Sequence, residues 1–265
     1  MKKNDLTRLL VVTFLIICLC PLYSSLSHGG TITDNFDGAA LNDRLWHKYS
    51  TDQHQRCVQQ GGELRIQIDG ASVGEGWFGA GISSRFILKG NFEIVVDYNL
   101  TNWPYSNGVR SGIWYENEDY SQNGHIVRVS FGADEPPTPK ETYVTDFIDG
   151  DFQDHVDIAT SDTQGKMKLT RVGKVMTGYF WQNNSWQKVG SHDYSSTGLD
   201  DWLLIGLNSH SSWASLNPAG QLVHPFAGLN VETVFDNLQI TFDQIKYSYF
   251  SNKGPSPGSL LLLLD

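Results

Sequence analysis

A short run of acids, Glu116-Asn117-Glu118-Asp119, contains the residue types best suited to acid–base chemistry. Glu116 and Glu118 stand two positions apart, which places both side chains on one face of an extended chain. Asp146, on a separate predicted strand, is the third candidate. Two carboxyl groups can cleave a glycosidic bond when they lie about 5–5.5 Å or about 6.5–9.5 Å apart. A solvated surface carboxylate is the commoner role for any single acid, so catalysis is one of two alternatives at each position.

Aromatic residues make up 12% of the chain, and eight of them are tryptophans. A sugar ring has a flat apolar face that stacks on an aromatic side chain, so aromatic residues in loops indicate carbohydrate recognition. We assign Trp46 and Trp202 to core packing instead. The ligand-binding candidates are the loop residues Trp103, Tyr105 and Trp213 and the strand residue Trp114, with Arg128 and His210 to hydrogen-bond sugar hydroxyls.

The most regular part of the chain is a predicted antiparallel meander over residues 165–190. It indicates an all-β chain, so strands are expected to position the candidate residues. Met167 and Leu169 alternate with polar residues, as in a strand with one buried face. Gly173-Lys174 and Asn183-Asn184 are tight-turn pairs, since Gly and Asn tolerate positive φ. Turns this close together leave no room for helices, so the local structure is all-β.

The rest of the chain reads as further short strands separated by turns, with no helical periodicity, internal repeat or linker. Residues 82–88 and 92–100 are predicted to pair around Lys89-Gly90-Asn91. Residues 208–230 are predicted to form one long loop that holds His210, and a loop of this length is more often functional than filler. Many short strands of this kind predict a single sandwich, jelly roll or barrel.

The N-terminus has the pattern of a secretory signal peptide, with basic residues followed by an apolar run. We expect residues 1–27 to be removed and residues 28–250 to form one domain. Export then places the protein outside the cytoplasm: secreted, periplasmic or on the cell surface. Residues 251–265 contain a Pro/Gly-rich segment and five leucines, which predict either a disordered tail or a truncated sorting signal. Five leucines cannot span a bilayer, so no membrane insertion of the mature domain is expected.

Charge and cysteine content narrow the possible partners further. The formal net charge is −10, and an acidic surface repels phosphates, which excludes nucleic acid as a partner. Outside the predicted signal peptide the chain keeps one cysteine, Cys57, so no intrachain disulfide is possible. We expect Cys57 to be a small buried apolar residue rather than a reactive thiol.

Several segments occur in an order that resembles the concanavalin A-like lectin/glucanase superfamily. They are DNFDG followed by LNDRLW, FEIVVDYNL, the meander KLTRVGKVMTGYFWQ with WQKVG, WLLIGL and FDNLQI, which together cover residues 31–250. The resemblance implies a two-sheet antiparallel jelly-roll sandwich with a concave face that binds carbohydrate. The E-x-D-x-x-E motif of its laminarinase-type hydrolases is absent here, and any catalytic acids would therefore lie on separate strands.

The same resemblance implies a structural calcium ion where the first strand meets the last. Carboxylate and carbonyl oxygens are the ligands that calcium requires, and Asp34, Asp37 and Asp236 lie in the matching segments. The alternative is ordinary turn chemistry for these aspartates. No transition-metal site is predicted, because the histidines 125, 155, 192, 210 and 224 follow no ligand spacing.

The sequence therefore predicts a secreted carbohydrate-binding β-sandwich whose partner is a polysaccharide or glycan that it holds without cleaving. One alternative is a glycoside hydrolase with its carboxylates on separate strands, for which Glu116, Glu118 and Asp146 are the candidates. A second alternative is a surface or matrix protein whose sandwich serves adhesion.

Overall fold

The computed structural model describes residues 27–72, 77–132, 140–212, 215–216, 222–223 and 226–247. These residues form seventeen strands and no helix. Among them there is accordingly no helix with the length and hydropathy needed to cross a membrane. The predicted signal peptide, except for Ser27, and the predicted C-terminal tail lie outside the described residues.

The strands follow one another with short connections over most of the chain. Their bounds are β1 Ser27–Asp34, β2 Trp46–Ser50, β3 Gln55–Gln60, β4 Glu63–Ile68, β5 Trp77–Ser84, β6 Phe86–Asn102, β7 Arg110–Glu116, β8 Gln122–Ser130, β9 Glu141–Asp149, β10 Phe152–Ala159, β11 Gln164–Val172, β12 Val175–Gln182, β13 Ser185–Asp193, β14 Trp202–Ser212, β15 Ser215–Leu216, β16 Leu222–Val223 and β17 Val231–Tyr247.

The first sheet is built around two long strands, β6 and β17, which pair with each other over most of their length. On one side of β6 lie β11, β12 and β13 in that order. On the far side of β17, β4 and β1 pair with successive halves of the strand, and β3 pairs with β4. All of these pairings are antiparallel.

The second sheet has the order β2, β5, β14, β7, β8, β9 and β10, again with every pairing antiparallel. A short stretch of β14 also pairs with β6, at Trp202–Lys89 and Leu203–Leu88, and this joins the two sheets at one corner. Each sheet buries the inward side chains of its strands against the other. The prediction of a two-sheet antiparallel jelly-roll sandwich is confirmed.

The core between the sheets is a continuous apolar cluster. It draws alternate residues from both sheets, including Ile94 and Met167 from the first and Ile113 and Ile205 from the second. Cys57 belongs to this cluster, and burial raises the pKa of its thiol to about 12. The thiol therefore stays protonated at neutral pH, as expected of a small buried apolar residue.

The two predicted turns of the central meander are confirmed. Gly173 has φ of 61°, and Val172 pairs with Val175 across it. Asn183 and Asn184 have φ of 52° and 59°, the two successive positive values that a type I′ hairpin requires.

Two sequence expectations were wrong, and both concern irregular strands. Residues 89–91 do not reverse the chain: β6 continues through Gly90, whose φ of 78° belongs to an irregularity within the strand. The predicted loop over residues 208–230 begins later, because β14 continues to Ser212 and includes His210. This end of β14 is polar on both faces, and so it lacks the alternation that identifies a strand in sequence.

Candidate functional site

One residue from each strand of the second sheet lies in a single lateral row across its outward face, and most of these residues are polar. Strand registers align residues from β2 to β10 directly opposite one another, and alternation turns all of them away from the core. We call this set the outer row: His47, Ser83, Gly206, Trp114, His125, Asp146 and His155. The sheet thus brings residues from seven strands together.

Two glycines, one in the outer row and one in the row beside it, leave space on this face for larger side chains. Gly206 lies opposite Trp114, and a Cβ atom at Gly206 would fall 2.5 Å from the Trp114 ring. Gly81 lies between Tyr49 and Asn208 in the neighbouring row. Because these positions carry no side chain, Trp114 lies across the sheet and the Tyr49 hydroxyl faces Asn208 and Trp114.

Glu116 follows on the same face, two residues after Trp114. Its side chain is buried, with 4% exposed. Within the part of the chain that the structure describes, no group hydrogen-bonds or ion-pairs with its carboxyl group. Burial therefore acts unopposed and raises the pKa of Glu116 to about 8. At neutral pH this carboxyl group is protonated and can donate a hydrogen bond.

Asp146 lies under two histidines at the other end of the row. Its Oδ2 is 3.0 Å from Nε2 of His125, and its Oδ1 is 2.5 Å from Nδ1 of His155. Burial favours the neutral acid, but the hydrogen bonds and charges of the two histidines outweigh it and lower the pKa of Asp146. The hydrogen bond to Asp146 in turn raises the pKa of His155. Asp146 is therefore an ionised carboxylate that orients two imidazoles.

His210 adds a third imidazole to this end of the face. It is fully buried on β14, and its ring centroid is 6.0 Å from that of His125. Burial lowers the pKa of His210 well below its usual value, and the charges of His125 and Arg110 lower it further. His210 is therefore a neutral imidazole at physiological pH, with a donor nitrogen and an acceptor nitrogen.

The outer face thus combines a neutral acid, an ionised acid and the neutral imidazole of His210 beside an aromatic ring. Sugar hydroxyls both donate and accept hydrogen bonds, and each of these polar groups can form a hydrogen bond with a hydroxyl. The two acids, Glu116 and Asp146, also have pKa values shifted in opposite directions, which is the pattern of an acid and a base with different roles.

Four of the residues singled out from the sequence lie on this face. They are Trp114, Glu116, Asp146 and His210. Glu118 does not join them, because β7 ends at Glu116 and Glu118 is exposed in the turn that follows. The expected common face of the two glutamates is therefore absent.

The remaining ligand candidates lie elsewhere. Trp103 is half-buried at the edge of the core, where its Nε1 donates to Glu141. Tyr105 is exposed in a loop, with 68% of its surface accessible. Arg128 points between the sheets and is bound by backbone oxygens and Glu141. Trp213 lies outside the described residues.

Two of the three aspartates proposed as calcium ligands, Asp34 and Asp236, have hydrogen-bonding partners within the protein. Both carboxylate oxygens of Asp34 accept hydrogen bonds at 2.8 Å, from the Phe36 amide and from Trp46 Nε1. Burial raises the pKa of Asp236, and the charges of nearby acids, among them Asp37, add to the shift. No group of three or more His, Cys, Asp or Glu side chains within the described ranges could hold a metal ion. A calcium site here would need backbone oxygens, and calcium stays a prediction.

Sequence reasoning missed Tyr49, Asn208 and His155 as members of the site. The available signal was the alternation within their strands: Tyr49 is two residues from His47, and Asn208 lies between Gly206 and His210. That alternation identifies the face of each strand, but it does not identify which strands are neighbours.

No protein-family model matches the chain, and no curated protein matches its sequence. Solved structures do resemble it. One comes from work on endo-acting O-glycanases that prominent members of the human gut microbiota express to initiate mucin breakdown. It is 12% identical, with a TM-score of 0.56, over 82% of this chain and 98% of that one. Another is an immunostimulatory antigen and pseudo β-1,3-glucanase of Mycobacterium tuberculosis, also 12% identical, with a TM-score of 0.55 over 82% and 98%.

A third similar structure is a non-specific endo-β-1,3(4)-glucanase of family GH16, 13% identical, with a TM-score of 0.54 over 82% of this chain and 92% of that one. At these identities the likeness concerns the fold. The chain has the concanavalin A-like fold that its sequence motifs indicated.

Proposed function

We propose that this protein is an exported carbohydrate-binding protein that holds a glycan on the outward face of its second sheet. The observation that carries the proposal is the buried Glu116 carboxyl group, which has no hydrogen-bonding partner among the described residues. Its oxygens are not among the fully buried side-chain atoms that lack a partner, so they reach the surface of the outward face. A ligand bound on this face can therefore hydrogen-bond them directly.

The neighbours of Glu116 fit a sugar better than an apolar ligand. Trp114 offers an aromatic surface, while Tyr49 and Asn208 offer a hydroxyl and an amide beside it. Structural neighbours that act on glycans or resemble such enzymes support the same class of ligand.

The second candidate is a glycoside hydrolase that uses Glu116 as its acid and Asp146 as its base. The opposite pKa shifts of these two residues favour it. Strand register places them two strands apart with an offset of two residues, so their backbones are roughly 12 Å apart. This separation favours the wider carboxyl spacing of an inverting mechanism over the narrow spacing of a retaining one.

One incubation tests both candidates. The full chain is mixed with a panel of plant, algal and microbial polysaccharides, and both retained protein and new reducing ends are measured. Binding predicts that Glu116→Ala, which removes the carboxyl group, weakens retention, whereas Glu118→Ala, the same change at an exposed position, does not. No retention on any polysaccharide would overturn the binding proposal. New reducing ends that disappear in Glu116→Gln would establish the hydrolase candidate instead.

A further inference from the structure

A second group of aromatic side chains lies on the outward face of the first sheet, across the sandwich from the outer row. Tyr179 and Trp181 are on β12, and Trp186 lies directly opposite Trp181 on β13. Their neighbour Phe180 belongs to the core, so alternation turns these three rings outward. All three remain partly exposed. The core therefore does not account for them.

Neighbouring groups hold these rings in fixed positions. The Lys168 ammonium lies 4.8 Å from the Tyr179 ring centroid and 4.6 Å from that of Trp186. The Trp181 and Trp186 rings meet edge to face, with centroids 5.1 Å apart. Cation–π and edge-to-face contacts both stabilise such an arrangement. A ligand would therefore meet a surface that is already ordered.

Trp181 forms one wall of an open cleft of about 550 Å³. The other walls include Tyr98, whose side chain is buried, and the polar residues Asp97, Asp162, Gln164, Gln182 and Asn184. Lys166, which also borders the cleft, is paired with Asp97 at 2.7 Å. The cleft thus joins one aromatic surface to several acid and amide groups, and its lining has a net negative charge.

We propose that this cleft is a second carbohydrate-binding site, one that takes uncharged sugar units. The exposed part of the Trp181 ring would stack on the apolar face of a sugar, and the amide and carboxylate groups would bind its hydroxyls. The acidic lining disfavours sulfated or carboxylated sugars and nucleic acid. This site is separate from the outer row, and it does not depend on what the outer row binds.

The test compares two tryptophans in similar settings. Trp181→Ala removes the ring from the cleft. Trp202→Ala is the matched control. Contrary to the sequence prediction, Trp202 does not belong to the core: it is partly exposed and lies under Lys89 at 5.6 Å, and it does not border the cleft. Binding of the full-length variants to neutral polysaccharides and their oligosaccharides is measured by calorimetry and affinity electrophoresis. We expect Trp181→Ala to weaken binding at one class of site about tenfold, the effect of losing roughly 1.4 kcal/mol, and Trp202→Ala to leave it unchanged.

A second variant distinguishes a loss of binding from a loss of folding. Gln182→Ala truncates an exposed side chain of the cleft, and it should weaken the same class of site while the melting temperature stays constant. Three results would overturn the proposal. The first is unchanged binding in both Trp181→Ala and Gln182→Ala, and the second is an equal loss of binding in Trp181→Ala and Trp202→Ala. The third is that the wild type does not bind neutral glycans.

An outer-face variant separates this proposal from the proposed function. Asn208→Ala should weaken only the sites on the second sheet. If Asn208→Ala leaves glycan binding unchanged and Trp181→Ala weakens it, the cleft binds glycan and the proposal that the outward face of the second sheet binds glycan is wrong. The reverse result overturns the second site alone.

Discussion

Arg128 and Glu116 are two buried ionisable side chains of the second sheet, and their surroundings differ in one respect: only Arg128 has hydrogen-bonding partners among the described residues. Arg128 faces inward and is 1% exposed; its guanidinium donates to the backbone oxygens of Asp162 and Thr142 and to Glu141. Glu116 faces outward and is 4% exposed, and no described residue bonds its carboxyl group. On the inward face, the protein itself supplies the hydrogen-bonding partners of the buried charge. On the outward face, the Glu116 carboxyl group has no such partner among the described residues, so a ligand can supply one.

Replacing Arg128 should have the largest effect, and it should affect stability alone. In Arg128→Met the half-buried Glu141 carboxylate loses its cationic partner, and two backbone oxygens lose their donor. Removing one member of a buried ion pair costs about 3–5 kcal/mol, which is the upper limit here because the Glu141 side chain is 18% exposed. Chemical denaturation measures this loss. Glycan affinity per folded molecule should stay at the wild-type value. A loss of affinity in the folded fraction would remove the contrast between the two faces.

Glu116→Gln should stabilise the protein at alkaline pH by a few kcal/mol, since each pKa unit corresponds to about 1.4 kcal/mol. The folded pKa of about 8 exceeds the usual 4.5, so between these values the native state keeps a proton that the unfolded state releases. Wild-type stability should therefore fall as pH rises from 4.5 through 8, and the slope should be smaller in Glu116→Gln. Denaturation curves at pH 5 and pH 9 test this, with Glu118→Gln as the control that keeps the wild-type slope.

Glycan retention should follow the same titration if the neutral Glu116 donates a hydrogen bond to the ligand. Retention by the wild type should decline as pH rises through about 8, when the carboxyl group loses its proton. Retention by Glu116→Gln should not decline in this range, because the amide keeps a hydrogen-bond donor and does not titrate. Parallel declines in both proteins would show that another group is responsible.

Gly206→Ala should have a moderate effect on both properties. The added Cβ atom would lie 2.2 Å from the Ile82 backbone oxygen and 2.5 Å from the Trp114 ring, so both the neighbouring strand and the ring must shift. Overpacking of this kind costs about 1–3 kcal/mol. Retention of glycan should fall with it, because Trp114 leaves its position beside Glu116. Thermal denaturation and polysaccharide retention measure the two effects, and unchanged retention would show that Trp114 does not contact the ligand.

His155→Gln should have the smallest effect. The pKa of His155 is raised by Asp146, so its contribution to stability is present below pH 6.5 and is lost as pH rises through the folded value. The side chain is partly solvated, with 41% exposed, and solvent screening limits the contribution to less than about 1 kcal/mol. Melting temperatures at pH 5.5 and pH 8.5 should differ less in the variant than in the wild type.

The sequence by itself determined the fold class, through signals that are local. Alternation over two residues identified the strands, and Gly173 and the pair Asn183-Asn184 identified turns that need positive φ. The same signals were misleading at Gly90, where positive φ accompanies a continuous strand instead of a reversal. A glycine can serve either backbone geometry, and only the partner strands select one.

The tertiary structure alone decided which acids belong to the site. Glu116 and Glu118 look equivalent in sequence, but the strand ends between them, so one is buried on the outer face and the other is exposed in a turn. Asp146 meets His125 and His155 only through the registers of β8, β9 and β10. Register depends on pairing between segments that are distant in the chain, and each strand's own residues do not specify its neighbours. The sequence therefore determined the sandwich, and strand pairing determined its site.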